Sequence, residues 1–321
     1  MGPHLLIGIA AGATSALLVA GVASGSVLAV PLFYLAPLPL MIAGLAFSHV
    51  SAAIGVVAAC LGLSLIYGVT FMLAYFMGIG MPAWALAYCV LLARSDPAAR
   101  DGLAWFAIGN VMMVGAALAT LSVMVALFSL AGSYEVYRDA IVMAFNAFVK
   151  AQGASPLGPV PASGDPAAMG TMVAAILPPT AASLMLATQL GCLYLAGRAA
   201  KLSGRLARPW PDLAATRLPA STPVVLAVLV AGAMLPGLLG LCAAAAGATL
   251  IVAYAAAGFA VLHFLTRGRA GRPFILTAAW VLTLAIGWPA LVIALLGVLD
   301  AMFDLRRRFG TGGGPPAAND H

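Results

Sequence analysis

The chain has 321 residues, of which 64% are hydrophobic and only 7% charged, with a formal net charge of +6. A soluble domain carries roughly 25% charged residues, and so few polar groups cannot cover so much apolar surface in water. Composition therefore excludes a soluble domain, and the basic residues, few and set between apolar blocks, are membrane-flanking charges rather than a nucleic-acid footprint.

Lipid as solvent demands elements that satisfy their own backbone hydrogen bonds, so long unbroken apolar runs predict helices, whereas a barrel needs short alternating strands. The expected fold is all-α: a polytopic transmembrane helical bundle of about 8–10 membrane segments, each of ~20 residues. One integral membrane domain covers 1–308, with both termini cytoplasmic.

Charges punctuate the chain. No Asp, Glu, Lys or Arg occurs between Met1 and Ala93, and this block is long enough for four spans. The run Leu5–Ala20 reads as the first membrane helix rather than a cleaved leader, since no basic residue precedes it and more apolar sequence follows. Along it Gly12, Ala16 and Ala20 form a small-residue face suited to close helix packing or to a partner helix. The second span contains Pro31, Pro37 and Pro39 and must bend or break, because each proline removes a backbone bond. Ser48–Ser51 marks the next turn and Met77–Pro82, with Gly78 and Gly80, the third. A short cytoplasmic loop carries Arg94, Asp96, Arg100 and Asp101.

Gly102–Tyr134 predicts a fifth span and Pro166–Gly197 a sixth, kinked at Pro178-Pro179. Between them, 134–170 is a periplasmic segment. Tyr137, Ile141, Ala144 and Phe148 recur at helical spacing, predicting an interfacial helix over 134–150, and 152–170, rich in Pro, Gly and Ser, reads as an irregular loop. Then 198–217 is a basic cytoplasmic loop: Arg198, Lys201, Arg205, Arg208 and Arg217 face Asp212 alone. It orients the chain and offers a docking surface for cytoplasmic partners or anionic headgroups, with Trp210 between two prolines.

Leu218–Thr266 holds two spans. Pro273–Leu299 starts and ends beside arginines, so a short hairpin broken at Gly287-Trp288-Pro289 keeps both basic flanks on one side. Asp300 and Asp304 pair with the following arginines, Asp304 and Arg308 being at i,i+4 spacing. The tail 309–321 is expected to be disordered.

Chemistry-bearing patterns are sparse. There is no HExxH, phosphate-binding glycine loop, GxSxG or CxxC, and no paired carboxylates in a helix core. Cys60, Cys89, Cys192 and Cys242 each lie singly in apolar stretches, as small buried hydrophobes. No enzymatic activity, cofactor or metal is expected. Polar side chains inside apolar runs remain as ligand-binding candidates: Asn110, Gln189, His49 and Tyr67. Each needs either an interhelical hydrogen bond or a cavity; if Asn110 and Gln189 serve a ligand, both should point into one pocket.

The stretches Pro31-Leu-Phe-Tyr-Leu-Ala-Pro-Leu-Pro-Leu40, Arg208-Pro-Trp-Pro-Asp212 with Arg217-Leu-Pro219, Leu262-His-Phe-Leu-Thr-Arg267 and Leu299-Asp-Ala-Met-Phe-Asp-Leu-Arg306 resemble the YybS-like predicted membrane proteins, a bacterial family of unknown function. The likeness implies a distant relation to the S components of energy-coupling-factor transporters. In these, an AxxxA face on helix one, matched here by Ala16-Leu-Leu-Val-Ala20, meets a coupling subunit. S components have six helices, fewer than expected here. The implied function is a small-molecule binding or transport subunit in a bacterial cytoplasmic (inner) membrane, partnered by lipids and transporter coupling subunits. A membrane scaffold or assembly factor, docking cytoplasmic proteins through the basic loops, is the competing expectation.

Overall fold

The computed structural model describes residues 2–24, 29–98, 102–153 and 166–309. Within them the chain is an all-α multi-pass membrane protein, with seven helices long and apolar enough to cross a membrane and three shorter apolar helices. The expected loop lies largely at 154–165, outside the described residues, but its flanks are helical: Gln152 and Gly153 end one helix and Pro166–Gly170 begin the next. Of the expected disordered tail only Phe309 is described, as the end of a short helix.

The first uncharged block folds into four crossings, broken where proline and glycine fall. α1 is Gly2–Ala20. The second crossing is α2 (Ala29–Tyr34) and α3 (Pro37–Ala46). α4 (His49–Tyr67) begins at Ser48, whose hydroxyl accepts the Val50 N–H at 3.1 Å, a standard N-cap. The fourth is α5 (Val69–Tyr75), a π-helical turn over Phe76–Gly80, and α6 (Met81–Val90). α7 (Ile108–Ala131) follows a two-stranded antiparallel ribbon, β1 (Ala93–Ser95) on β2 (Leu103–Trp105), that sequence periodicity does not announce.

α8 (Tyr134–Gly153) is the expected amphipathic helix, and α9 (Pro166–Leu202) is a single long helix despite Pro178 and Pro179. α9 packs against α3, α7, α8 and α11 and so joins the two halves of the bundle. α10 (Thr222–Gly232) has only 11 residues, and α11 (Gly237–Leu265) has 29. The two run antiparallel: Gly232 faces Ala243, and the Thr222 hydroxyl meets the Tyr254 hydroxyl at 2.7 Å. Tyr254 lies ~16 Å along the axis from Leu265, at ~1.5 Å per residue. The non-helical stretch 216–221 therefore enters the bundle to that depth before α10 completes the crossing.

α12 (Arg272–Ile286) and α13 (Pro289–Phe303) form the expected short hairpin, 15 residues each, turning at Gly287 with φ +85°. Trp280 stacks on Phe259 with ring centroids 3.9 Å apart, and Gly297 sits against the backbone of Gly258. Arg306, in α14 (Leu305–Phe309), reaches Phe264, so α13 runs parallel to α11 and both ends of the hairpin return to the end where α11 finishes. The stretches 47–48, 91–98, 102–107, 203–221, 266–271 and 304–309 thus share one end of the bundle, tied by Arg205 over Phe47, Arg267 on Asp212 and Arg217 on Asp304. We call this the basic end.

Candidate functional site

Helix breaks and prolines within helices free backbone carbonyls, and side chains of neighbouring helices take several of them. Pro82 cannot donate to the Gly78 carbonyl four residues earlier; Gln189 of α9 donates to it at 3.3 Å. The adjacent Met77 carbonyl receives the Ser122 hydroxyl of α7 at 2.6 Å. At the α2–α3 break, the Cys192 thiol approaches the Tyr34 carbonyl at 3.3 Å, and Ser15 donates to the Ala36 carbonyl at 2.7 Å while meeting the Tyr75 hydroxyl at 2.7 Å. In α9, Pro178 leaves the Ala174 carbonyl without its helical donor, and the Tyr137 hydroxyl of α8 supplies one at 3.0 Å. These breaks are sealed by protein.

An open cleft lies instead at the basic end. Its volume is about 740 Å³, within the usual ~300–1,000 Å³ of small-molecule sites. Asn110 of α7, Tyr254 and Ala257 of α11, and Gly297 and Asp300 of α13 form its inner walls; residues 217–220, Arg94 and Trp105 of the ribbon, and Arg306 complete it. Close packing shapes the walls: Gly109 has no side chain because the Arg217 carbonyl occupies that space. The Asn110 side chain makes no hydrogen bond among the described residues, whereas the Trp105 indole N–H is buried without a partner.

Two buried arginines hold the backbone around the cleft. Arg306, 4% exposed, donates to the carbonyls of Ala214 at 2.8 Å and Thr216 at 2.7 Å, capping backbone that has no helix to satisfy it. Its Nε lies 3.0 Å from the Asp300 carboxylate, an ion pair rather than an aligned hydrogen bond, while the Arg306 backbone N–H bonds the other carboxylate oxygen at 3.2 Å. Burial pushes the Arg306 guanidinium down and Asp300 pushes it back up. Arg208 is likewise buried, donating to the carbonyls of Val90 at 3.1 Å and Phe106 at 2.8 Å; burial lowers its pKa.

Asp304 does not take the expected partner. Its carboxylate pairs with Arg217 at 2.7 Å, not with Arg308, whose backbone N–H bonds the Asp304 carbonyl. The reason is backbone geometry: Asp304 ends α13 at φ +50° and only caps α14, so its carboxylate is turned away from the Arg308 side chain although its carbonyl takes the Arg308 N–H. Partial burial pushes Asp304 up, yet Arg217 outweighs it and holds the carboxyl below its ordinary value. The hydrogen bond from Arg267 depresses Asp212 likewise.

The structure separates the four polar candidates. Asn110 lines the cleft. Gln189, 3% exposed, is spent on the Gly78 carbonyl, so the two do not share this cleft. His49 starts α4 beside Tyr88, ring centroids 5.3 Å apart, and Tyr67 ends the same helix against Phe71. Nor is the small-residue face of α1 an open partner surface throughout: Gly12 lies directly on Gly55 of α4, and Ala16 packs partly buried on the core, with Ala20 half-buried.

The basic-loop residues divide by role. Arg198 and Lys201 flank the Trp210 ring, Arg205 covers Phe47, Arg208 is internal and Arg217 is at the cleft. Sequence reasoning missed Arg94, Trp105, Tyr254 and Arg306 as parts of one site; the only signal was charge density, shared by every basic loop.

Over residues 12–301 the chain matches the family model described as "Predicted membrane protein (DUF2232)". No curated protein and no solved structure matches it.

Proposed function

Because the chain belongs to this family of predicted membrane proteins, we propose that it is a multi-pass membrane protein that binds a small molecule in the basic-end cleft. One observation carries the reading: a cleft of about 740 Å³ at helix depth, walled by Asn110, Tyr254, Asp300 and the irregular stretch 217–220. Non-helical backbone at membrane depth is tolerated where it lines a cavity, and here it does. The basic end faces the cytoplasm of a bacterial-type inner membrane by the excess of arginine in its loops. Transport, in the manner of an energy-coupling-factor S component, is the further step of this proposal. A coupling subunit would have to meet a surface other than Gly12, which α4 covers.

A scaffold role through the basic loops draws less support, because Arg208 and Arg306 are turned inward onto backbone carbonyls. The test is a thermal-shift screen of small molecules on the purified protein and on Ala301→Trp, which fills the cleft from an exposed position. A ligand that raises Tm in the parent and not in Ala301→Trp is expected. Ligands whose shifts are equal in both proteins lie elsewhere and overturn the assignment.

A further inference from the structure

Resting on the cleft as a ligand site, we propose that the group it recognises is a phosphoryl anion, which Arg217 takes by releasing Asp304. Four observations carry this. First, the cleft walls hold three arginines, Arg94, Arg217 and Arg306, against one carboxylate, Asp300. Second, Arg306 is not available to a ligand: it is 4% exposed, and its nitrogens are committed to Asp300, Ala214 and Thr216. It supplies a fixed wall whose charge Asp300 offsets.

Third, Arg217 is held differently. Its pair with Asp304 is 42% and 40% exposed on the two sides, and exposed pairs of this kind are weak and easily exchanged. Fourth, the amide of Asn110, without a side-chain partner among the described residues, stands in the same cleft as Arg217 and Arg94. The Asn110 amide and the Arg217 guanidinium come from two elements, the start of α7 and the irregular stretch. A phosphoryl group offers three terminal oxygens to such a set, where a carboxylate offers two. The remaining wall is apolar, including Ala107, Leu218 and Ala257, so the ligand carries an apolar portion next to its anionic one. Anionic lipid headgroups and soluble phosphate esters share this chemistry.

The exchange has a structural consequence. Asp304 is the turn between α13 and α14, at φ +50°. Freeing its carboxylate from Arg217 loosens one of the contacts that ties the C-terminal turn to the stretch 213–221, leaving the Arg306 contacts in place.

The experiment measures binding of dioctanoyl phosphatidic acid, glycerol 3-phosphate, dioctanoyl phosphatidylcholine and octanoate to the full chain in a nonionic detergent by calorimetry. Arg217→Gln is expected to weaken the phosphate-terminated probes by about tenfold. Asp304→Asn, which removes the competitor and tolerates the same backbone angle, is expected to tighten them by about two- to fivefold. Binding of phosphatidic acid alone assigns a lipid source; binding of both phosphate monoesters assigns the headgroup itself; both support the proposal. It is overturned if octanoate binds as tightly as the phosphates, or if the two variants fail to move affinity in opposite directions. If phosphates do not bind while a neutral molecule binds and is lost in Ala301→Trp, the phosphoryl proposal falls and the cleft stands. If no probe or screened molecule is sensitive to Ala301→Trp, the cleft reading falls with it.

Discussion

Tyr137 and Pro178 test the sealing of proline-freed carbonyls most directly. The Tyr137 hydroxyl is 3.0 Å from the Ala174 carbonyl, and Ala174 is 0% exposed, so that carbonyl has no route to water. Tyr137→Phe removes the donor and nothing else. Leaving a buried acceptor unpaired costs about 1–3 kcal/mol in soluble proteins, whereas hydrogen bonds inside membrane proteins average about 0.6 and reach about 1.7 kcal/mol. Because Tyr137 is half-buried at the edge of the bundle, we expect about 1 kcal/mol. Pro178→Ala restores the helical N–H to the same carbonyl, so Tyr137→Phe should then cost close to nothing. The coupling energy of the double-mutant cycle should match the single-mutant cost. Reversible unfolding in mixed micelles, followed by helicity, measures all four proteins. An equal cost of Tyr137→Phe in both backgrounds would refute the reasoning, since the hydroxyl would then be serving something other than the carbonyl that proline frees.

Three further outcomes are expected. Gly12→Leu should prevent α1 from seating on α4, because even a Cβ at this position meets the Gly55 backbone; overpacking of this kind costs about 1–3 kcal/mol or more, read as loss of the monodisperse peak in size-exclusion chromatography. Asp300→Asn leaves Arg306 buried without its counter-charge and should destabilise by about 3–5 kcal/mol, measured by the same unfolding assay, while Arg307→Gln, at an exposed neighbour, should change little. Asp212 has a depressed folded pKa through the Arg267 hydrogen bond, so its contribution is present above the unfolded carboxylate value of about 3.9 and is lost as pH falls through the folded value. Being exposed on both sides, the pair should contribute under about 1 kcal/mol, and Asp212→Asn should remove that acid-side loss from a pH titration of stability.

The membrane crossings were legible because charge and proline mark them. Pro37, Pro82 and Gly287 stand where the helices break, and the arginines after Leu265 and Asp304 stand at one end of the bundle. The length of α10 was not legible: the block 218–266 is uncharged throughout, and hydropathy cannot tell an extended entry over 216–221 from helix. The two three-residue strands are too short for an alternating pattern to register. The partners of freed carbonyls were also invisible, since Gln189 and Gly78 stand 111 residues apart and look like an isolated polar residue and an ordinary glycine. Asn110 could be singled out as costly in lipid, but its cleft is assembled from five separate stretches. Arg306 could not be told from Arg307, because the left-handed turn at Asp304, which aims only the first of them inward, has no helical period to betray it.

What caps a freed carbonyl decides what a helix break can do. At Gly78, Met77, Tyr34 and Ala174 the donors are neutral amide, hydroxyl or thiol groups from adjacent helices. Such groups close the gap without bringing charge into the bundle, and the result is a packed element that still behaves as a span. At Ala214 and Thr216 the donor is a guanidinium. The buried Arg306 guanidinium has a counter-charge in Asp300, and that pair gives the cleft a polar wall. The same irregular stretch then cannot pack as tightly as a helix, since each extended residue spans ~3.3 Å and presents few side chains along its length. An open, charged, partly apolar cleft is the consequence of entering the bundle with 216–221 rather than with helix, and the proposed ligand site follows that stretch rather than the proline-marked breaks.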